Sequence, residues 1–201
     1  MALAASSSER FLICSGTDIT DERAAMDRLQ TAANTDILTG VRNRFHLMRF
    51  LDEQLARPEN AERLAVVYVN LNNFKMVNDT IGHEAGDQLL KKVAQRLAAL
   101  VDQSDHLSRA RDDKFVIVSL GDQATESAQR MAERILVEFE ASFTFRLSSY
   151  RLAVSVGTAT HQEGTEGAHG LLIRADMAMH AAKDAGRSSG RSRYKRYTPE
   201  M

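Results

Sequence analysis

Apolar residues recur along this chain at two different periods, and the points where one period replaces the other mark its elements. Leu64 to Leu71 is almost continuously apolar and reads as a strand. Glu84 to Val101 carries Leu89, Leu90, Val93, Leu97, Leu100 and Val101 at helical spacing. Thr125 to Phe139 repeats that spacing through Ala128, Met131, Ala132, Ile135 and Leu136. Each of these helices has one face to bury. Arg44 to Leu55 and Leu171 to Lys183 read as two more helices. His106 to Ala110 and Phe115 to Leu120 read as strands joined through a turn at Arg111 to Lys114. Phe143 to Leu147 and Leu152 to Val156 alternate with period two around Ser148, Ser149 and Tyr150. A loop at Gly186 to Gly190 precedes a short last strand, Tyr194 to Tyr197. Helices mixed with hairpins predict an α+β fold, with a central, mostly antiparallel sheet flanked by helices. No internal repeat is present.

Ahead of this pattern the reading changes. Phe11 to Cys14 is a short strand, Gly16 to Thr20 a turn, and Asp21 to Ala33 a polar helix with Met26, Leu29 and Ala33 on one side. That is too little apolar surface to fold alone. With 201 residues, 43% of them apolar, the chain supports one complete domain with a sizeable core. Lysine and arginine number 26 against 27 acids, a net charge of −1. No overall field therefore draws the chain to nucleic acid or to an acidic membrane, and any phosphate site must be local. The single cysteine, Cys14, excludes an internal disulfide framework and fits a reducing, cytoplasmic setting. No stretch approaches the roughly 20 apolar residues of a membrane span, so direct membrane contact is not expected.

Four blocks carry specific chemistry: Asp36-Ile-Leu-Thr-Gly-Val-Arg-Asn-Arg44; Asn70 to Asp87, reading NLNNFKMVNDTIGHEAGD; the turn Arg111-Asp-Asp-Lys-Phe115; and Arg174 to Arg187, reading RADMAMHAAKDAGR. In this order the blocks resemble the GGDEF domain of bacterial cyclic di-GMP signalling proteins, over about Asp36 to Arg187. The resemblance implies a ferredoxin-like, nucleotide-cyclase-like sheet built to hold one GTP at the hairpin. Two such domains facing each other, as in a homodimer, join two GTP into cyclic di-GMP. The run Ser15 to Arg23 resembles the exit of a PAS sensor domain, and Tyr197 to Met201 the linker toward an EAL phosphodiesterase domain. The expected organisation is a PAS-like tail over 1–20, a signalling helix or linker over 21–35, the GGDEF domain over 36–195, and a linker over 196–201 toward an EAL domain.

The resemblance assigns guanine contact to Asn78 and Asp87, whose amide donor and carboxylate suit the donors and acceptors on guanine's edge. Alternatively, Asn78 shapes a turn and Asp87 caps the long helix. Lys75, Lys183 and Arg187 match residues that contact the triphosphate, although cations near a helix C-terminus are also favourable for that reason alone. The metal positions match Asp113, Leu71 and Asn70. Magnesium is usually held by one or two carboxylates together with substrate phosphates, yet the strand-end acid is Asn70 here. In the hairpin Asp113 keeps the third motif position and catalytic acid, Lys114 replaces its glutamate partner, and Arg111 and Asp112 replace two glycines. The inhibitory product site of the family, Arg-x-x-Asp, reads Asp102-x-x-Asp105 here, and a carboxylate there repels phosphate. The expectation is a degenerate, GTP-binding regulatory module with magnesium weak or absent. The alternatives are a weakly active diguanylate cyclase and a structural dimerisation spacer that binds nothing.

Overall fold

The protein is described by a computed structural model covering residues 33–61, 63–102, 104–145, 148–161, 167–187 and 190–201. The PAS-like tail, its strand Phe11–Cys14, and all but the last residue of the helix expected over Asp21–Ala33 lie outside these residues. The described elements run α1 (Arg44–Leu55), α2 (Pro58–Ala61), β1 (Leu64–Leu71), α3 (Phe74–Ile81), α4 (His83–Ala98), β2 (His106–Arg111), β3 (Lys114–Leu120), α5 (Ala124–Glu138), β4 (Phe143–Phe145), β5 (Ser148–Tyr150), β6 (Val154–Thr160), α6 (Gly167–Gly186) and β7 (Arg193–Arg196).

The main sheet has the order β2-β3-β1-β6-β7. Its first four strands pair antiparallel in the ferredoxin-like arrangement, and β7 joins β6 in parallel, so the sheet is mixed. All eight residues of β1 are buried because both faces of the sheet are covered, which explains the unbroken apolar run. Ala65, Val67, Val69 and Leu71 meet α4 and α5 in one core. Leu64, Val66 and Tyr68 meet α1 and α6 in the other. Helix α6 lies so close to β6 that a Cβ at Gly157 would collide with the backbone of Ala175 and Met179. That close approach sets where α6 delivers its polar side chains.

Three readings need correction. Asn73 to Ile81 contains a helix, α3, that the sequence pattern did not predict. Ser148 to Tyr150 is not a turn between two long strands: it pairs with Phe143 to Phe145 as a separate small hairpin, and the next strand starts at Val154. The turn at Arg111 to Lys114 shrinks to Asp112 and Asp113, because the strands extend to Arg111 on one side and Lys114 on the other.

Candidate functional site

The motif residues converge at the end of β1. The sheet register sets Asn70 opposite Lys114 on β3 and opposite Ser155 on β6. Asn70 is 2% exposed, and its amide binds in three directions. Nδ2 donates to the Leu71 carbonyl at 2.9 Å and to Asp113 Oδ2 at 3.1 Å. Oδ1 accepts from Lys183 Nζ at 3.2 Å. The Leu71 amide donates to the Asp113 carbonyl at 3.1 Å, fixing the hairpin turn against the strand end. The side chain of Leu71 is buried in the core, so only its carbonyl belongs to this cluster. Burial pushes the Asp113 carboxyl above its ordinary range, while a backbone hydrogen bond and the charges of Lys183 and Lys114 pull it down.

The turn itself carries strain. Asp112 has φ 27°, a left-handed conformation that glycine adopts freely and a side chain resists. Arg109 steadies it, donating from both Nε and Nη2 to the Asp112 carbonyl at 3.0 and 2.6 Å. Its remaining nitrogen, Nη1, pairs with Asp36 at 3.0 Å, tying the first sequence block to the third. Thr39 and Arg109 hold the Asp36 carboxyl below its ordinary range despite burial, which alone would raise it.

Lys114 points to α6. Its Nζ pairs with Asp176 Oδ1 at 3.0 Å and stands 5.5 Å from the centre of the Tyr68 ring. Asp176 and Lys183 lie two helical turns apart on α6, so one helix face answers both Lys114 and Asn70: Asp176 takes Lys114 and Lys183 takes Asn70. Sequence reasoning missed Asp176, although it stands in the fourth block. Burial raises the neighbouring Tyr68 hydroxyl to about 12, so it stays neutral.

Asn78 and Asp87, the residues expected at a guanine edge, stand on a separate pair of helices. Asn78 lies inside α3, which excludes its reading as a turn residue. Asp87 is exposed, one turn inside α4, whose N-cap is Gly82. That excludes its reading as a helix cap. Asn78 Oδ1 is sealed from solvent with no partner, and a Cβ at Gly86 would overlap it. Gly86 is therefore a site residue the sequence reading passed over; the small residue beside Asp87 in the second block was the available signal. Lys75 is exposed on α3 and has no hydrogen bond or ion pair among the described residues.

Lys183 and Arg187 line one cavity of about 250 Å³ together with Asn72, Asn73, Arg151 and Gly186. Arg187 makes only a loose, exposed pair with Asp184 at 3.9 Å. Neither Asn78, Asp87 nor Lys75 lines that cavity, so the structure brings together two of the three residues expected at the phosphates, Lys183 and Arg187, but neither Lys75 nor the residues expected at guanine. Asp102 and Asp105 form a tight turn, the Asp102 amide donating to Asp105 Oδ2 at 3.0 Å. Among the described residues no three His, Cys, Asp or Glu side chains cluster as metal ligands, and no helix is long and apolar enough to cross a membrane.

Residues 33–189 match the family model described as diguanylate cyclase, GGDEF domain. The chain is 39% identical over 194 residues to the cyclic di-GMP phosphodiesterase PdeR of Escherichia coli, covering 96% of this chain and 28% of that protein. It is 33% identical over 167 residues to the bifunctional diguanylate cyclase/cyclic di-GMP phosphodiesterase MucR of Pseudomonas aeruginosa, covering 83% of this chain and 24% of that one. The chain thus spans only about a quarter of each relative. The isolated GGDEF domain of TpbB, or YfiN, from Pseudomonas aeruginosa superposes with a TM-score of 0.71 at 30% identity, over 81% of this chain and 92% of the other.

Proposed function

Since the chain belongs to the GGDEF domain family of cyclic di-GMP signalling, we propose that it is a regulatory module that binds GTP without converting it. The observation that carries this reading is the chain Lys183–Asn70–Asp113. In a cyclase a magnesium ion offsets phosphate charge and orients the reacting oxygens. Three of the oxygens that could receive such an ion here already face a donor: Asn70 Oδ1 takes the Lys183 ammonium, and both the Leu71 carbonyl and Asp113 Oδ2 take the Asn70 amide. Asp113 is the one carboxylate of the cluster, and burial raises its pKa above the ordinary value. The residues do not fit a bound magnesium ion, and the fourth motif position brings a cation that Asp176 has already neutralised.

The nucleotide-binding half of the proposal rests on what is kept. Asn78 and Asp87 offer an amide and an exposed carboxylate to a guanine edge, and Lys75, Lys183 and Arg187 offer cations to phosphate. In the parent protein the module would sit between a PAS-like sensor and an EAL-like phosphodiesterase; the greater length of its relatives and the two activities in the name of MucR support that placement. The Asp102 carboxylate argues against product inhibition at the Arg-x-x-Asp position.

The test is a nucleotide titration of the 201-residue chain beside chromatography for product. GTP should bind more tightly than ATP by roughly 5- to 150-fold, since adenine leaves buried polar groups unpaired. Asp87→Ala should erase most of that preference, and no cyclic di-GMP should accumulate with GTP and magnesium. Multiple-turnover product would establish a cyclase, and equal or absent binding of GTP and ATP would leave a spacer.

A further inference from the structure

A second cavity of about 560 Å³ opens beside the phosphate-end pocket, between the C-terminal end of α5, the segment between β5 and β6, and the approach to β7. The two cavities share the wall formed by Arg151, Leu152, Ala153 and Gly190. Three guanidinium groups, from Arg151, Arg191 and Arg193, line the larger one, with Glu140 as its only acid. Four arginines elsewhere pair with acids: Arg49 with Glu53, Arg63 with Asp122, Arg96 with Glu138, Arg109 with Asp36. Arg151, Arg191 and Arg193 hold no acid and no hydrogen-bond acceptor among the described residues. What sets these three apart is that they line one concavity, where their exposed guanidiniums concentrate positive charge that a bound anion would offset.

The rest of the lining narrows the ligand. Ser192 Oγ accepts the Val154 amide at 3.0 Å, which leaves its own proton to donate. The polar lining is thus donors with one carboxylate, while Phe139 and Leu152 supply an almost fully buried apolar floor. The volume falls within the usual range of small-molecule sites, roughly 300–1,000 Å³. We infer that this cleft is an anion site distinct from the GTP pocket, taking a phosphate ester of about nucleotide size. Its phosphate lies among Arg151, Arg191 and Arg193, and its apolar part lies over Phe139 and Leu152. Arg151, in the shared wall, couples the two cavities.

Titration of the ¹⁵N-labelled 201-residue chain with inorganic phosphate and with phenyl phosphate, at fixed ionic strength, tests this through the arginine Nε–H signals. The signals of Arg151, Arg191 and Arg193 should shift together and saturate, with phenyl phosphate binding more tightly than phosphate. Arg191→Gln with Arg193→Gln should weaken that binding about a hundredfold, since each lost charge-assisted contact is worth about tenfold. Lys183→Gln should leave it unchanged. Shifts that follow ionic strength without saturating would overturn the site. Loss on Lys183→Gln alone would overturn its separateness, and equal affinities for the two anions would overturn the ester. Failure of the chain to bind GTP would leave each of these results readable.

Discussion

At Gly86 the usual effect of a helix substitution should reverse its sign. Alanine in place of glycine inside a helix ordinarily stabilises by about 1 kcal/mol, through backbone entropy. Here its methyl group would occupy the place of Asn78 Oδ1, so α3 and α4 must part or the amide must turn. Gly86→Ala should therefore destabilise the domain by about 1–2 kcal/mol. In an Asn78→Ala background the same change should become stabilising. It should also lower GTP affinity toward that of ATP without weakening ATP. His106 offers a second residue-scale prediction. Its Nε2 lies 3.0 Å from His46 Nδ1, and its ring stacks against both His46 and Phe50. Burial, with His46 and Arg42 nearby, depresses its pKa to about 4 from an ordinary 6.5. The unfolded chain then binds the proton more readily, so stability is full above pH 6.5 and falls as pH drops toward 4. Thermal melts across that window should show this slope, and His106→Phe should flatten it while His46, whose pKa is also lowered, retains part of it.

Among the elements, α6 decides what the hairpin substitutions mean. Lys114 and Asp176 form a partly buried pair at 3.0 Å, so restoring a glutamate at 114 would set two carboxylates against each other. Lys114→Glu should cost about 1 kcal/mol and should not generate product, whereas Lys114→Glu with Asp176→Lys should recover the stability. Chemical denaturation of the wild type and the two variants gives the answer. Most elements around this hairpin were legible because their apolar residues repeat at 3.6 or 2. Helix α3 was not: Asn78, Asp79 and Thr80 are weak helix formers, and Phe74, Val77 and Ile81 define only a short apolar face. Packing against α4 overrides that weak propensity. Ser148 to Tyr150 looked like a turn for a similar reason, its serines marking a break where the chain makes a strand of three residues. The candidate site was legible as residue types, since the four blocks name Asn70, Asp113 and Lys183. Their joining into one hydrogen-bonded chain was not, because it depends on the sheet register and on the closeness of α6 at Gly157.

For the molecule as a whole, the two covered faces of the sheet leave its chemistry to one end, where β1 stops, the hairpin turns and α6 ends. There Asn70 donates to Asp113 and accepts from Lys183, and Lys114 pairs with Asp176. On the proposed reading a nucleotide would meet its phosphates with Lys75, Lys183 and Arg187 and its base with Asn78 and Asp87, with no divalent ion between them. Binding should weaken as salt rises, as expected for contacts between exposed charges. The most direct measurement is the affinity of the 201-residue chain for GTP with magnesium and with a chelator, at one ionic strength. The account predicts saturable binding in both, with dissociation constants within about threefold, less than 1 kcal/mol apart. Binding that appears only when magnesium is present would contradict it.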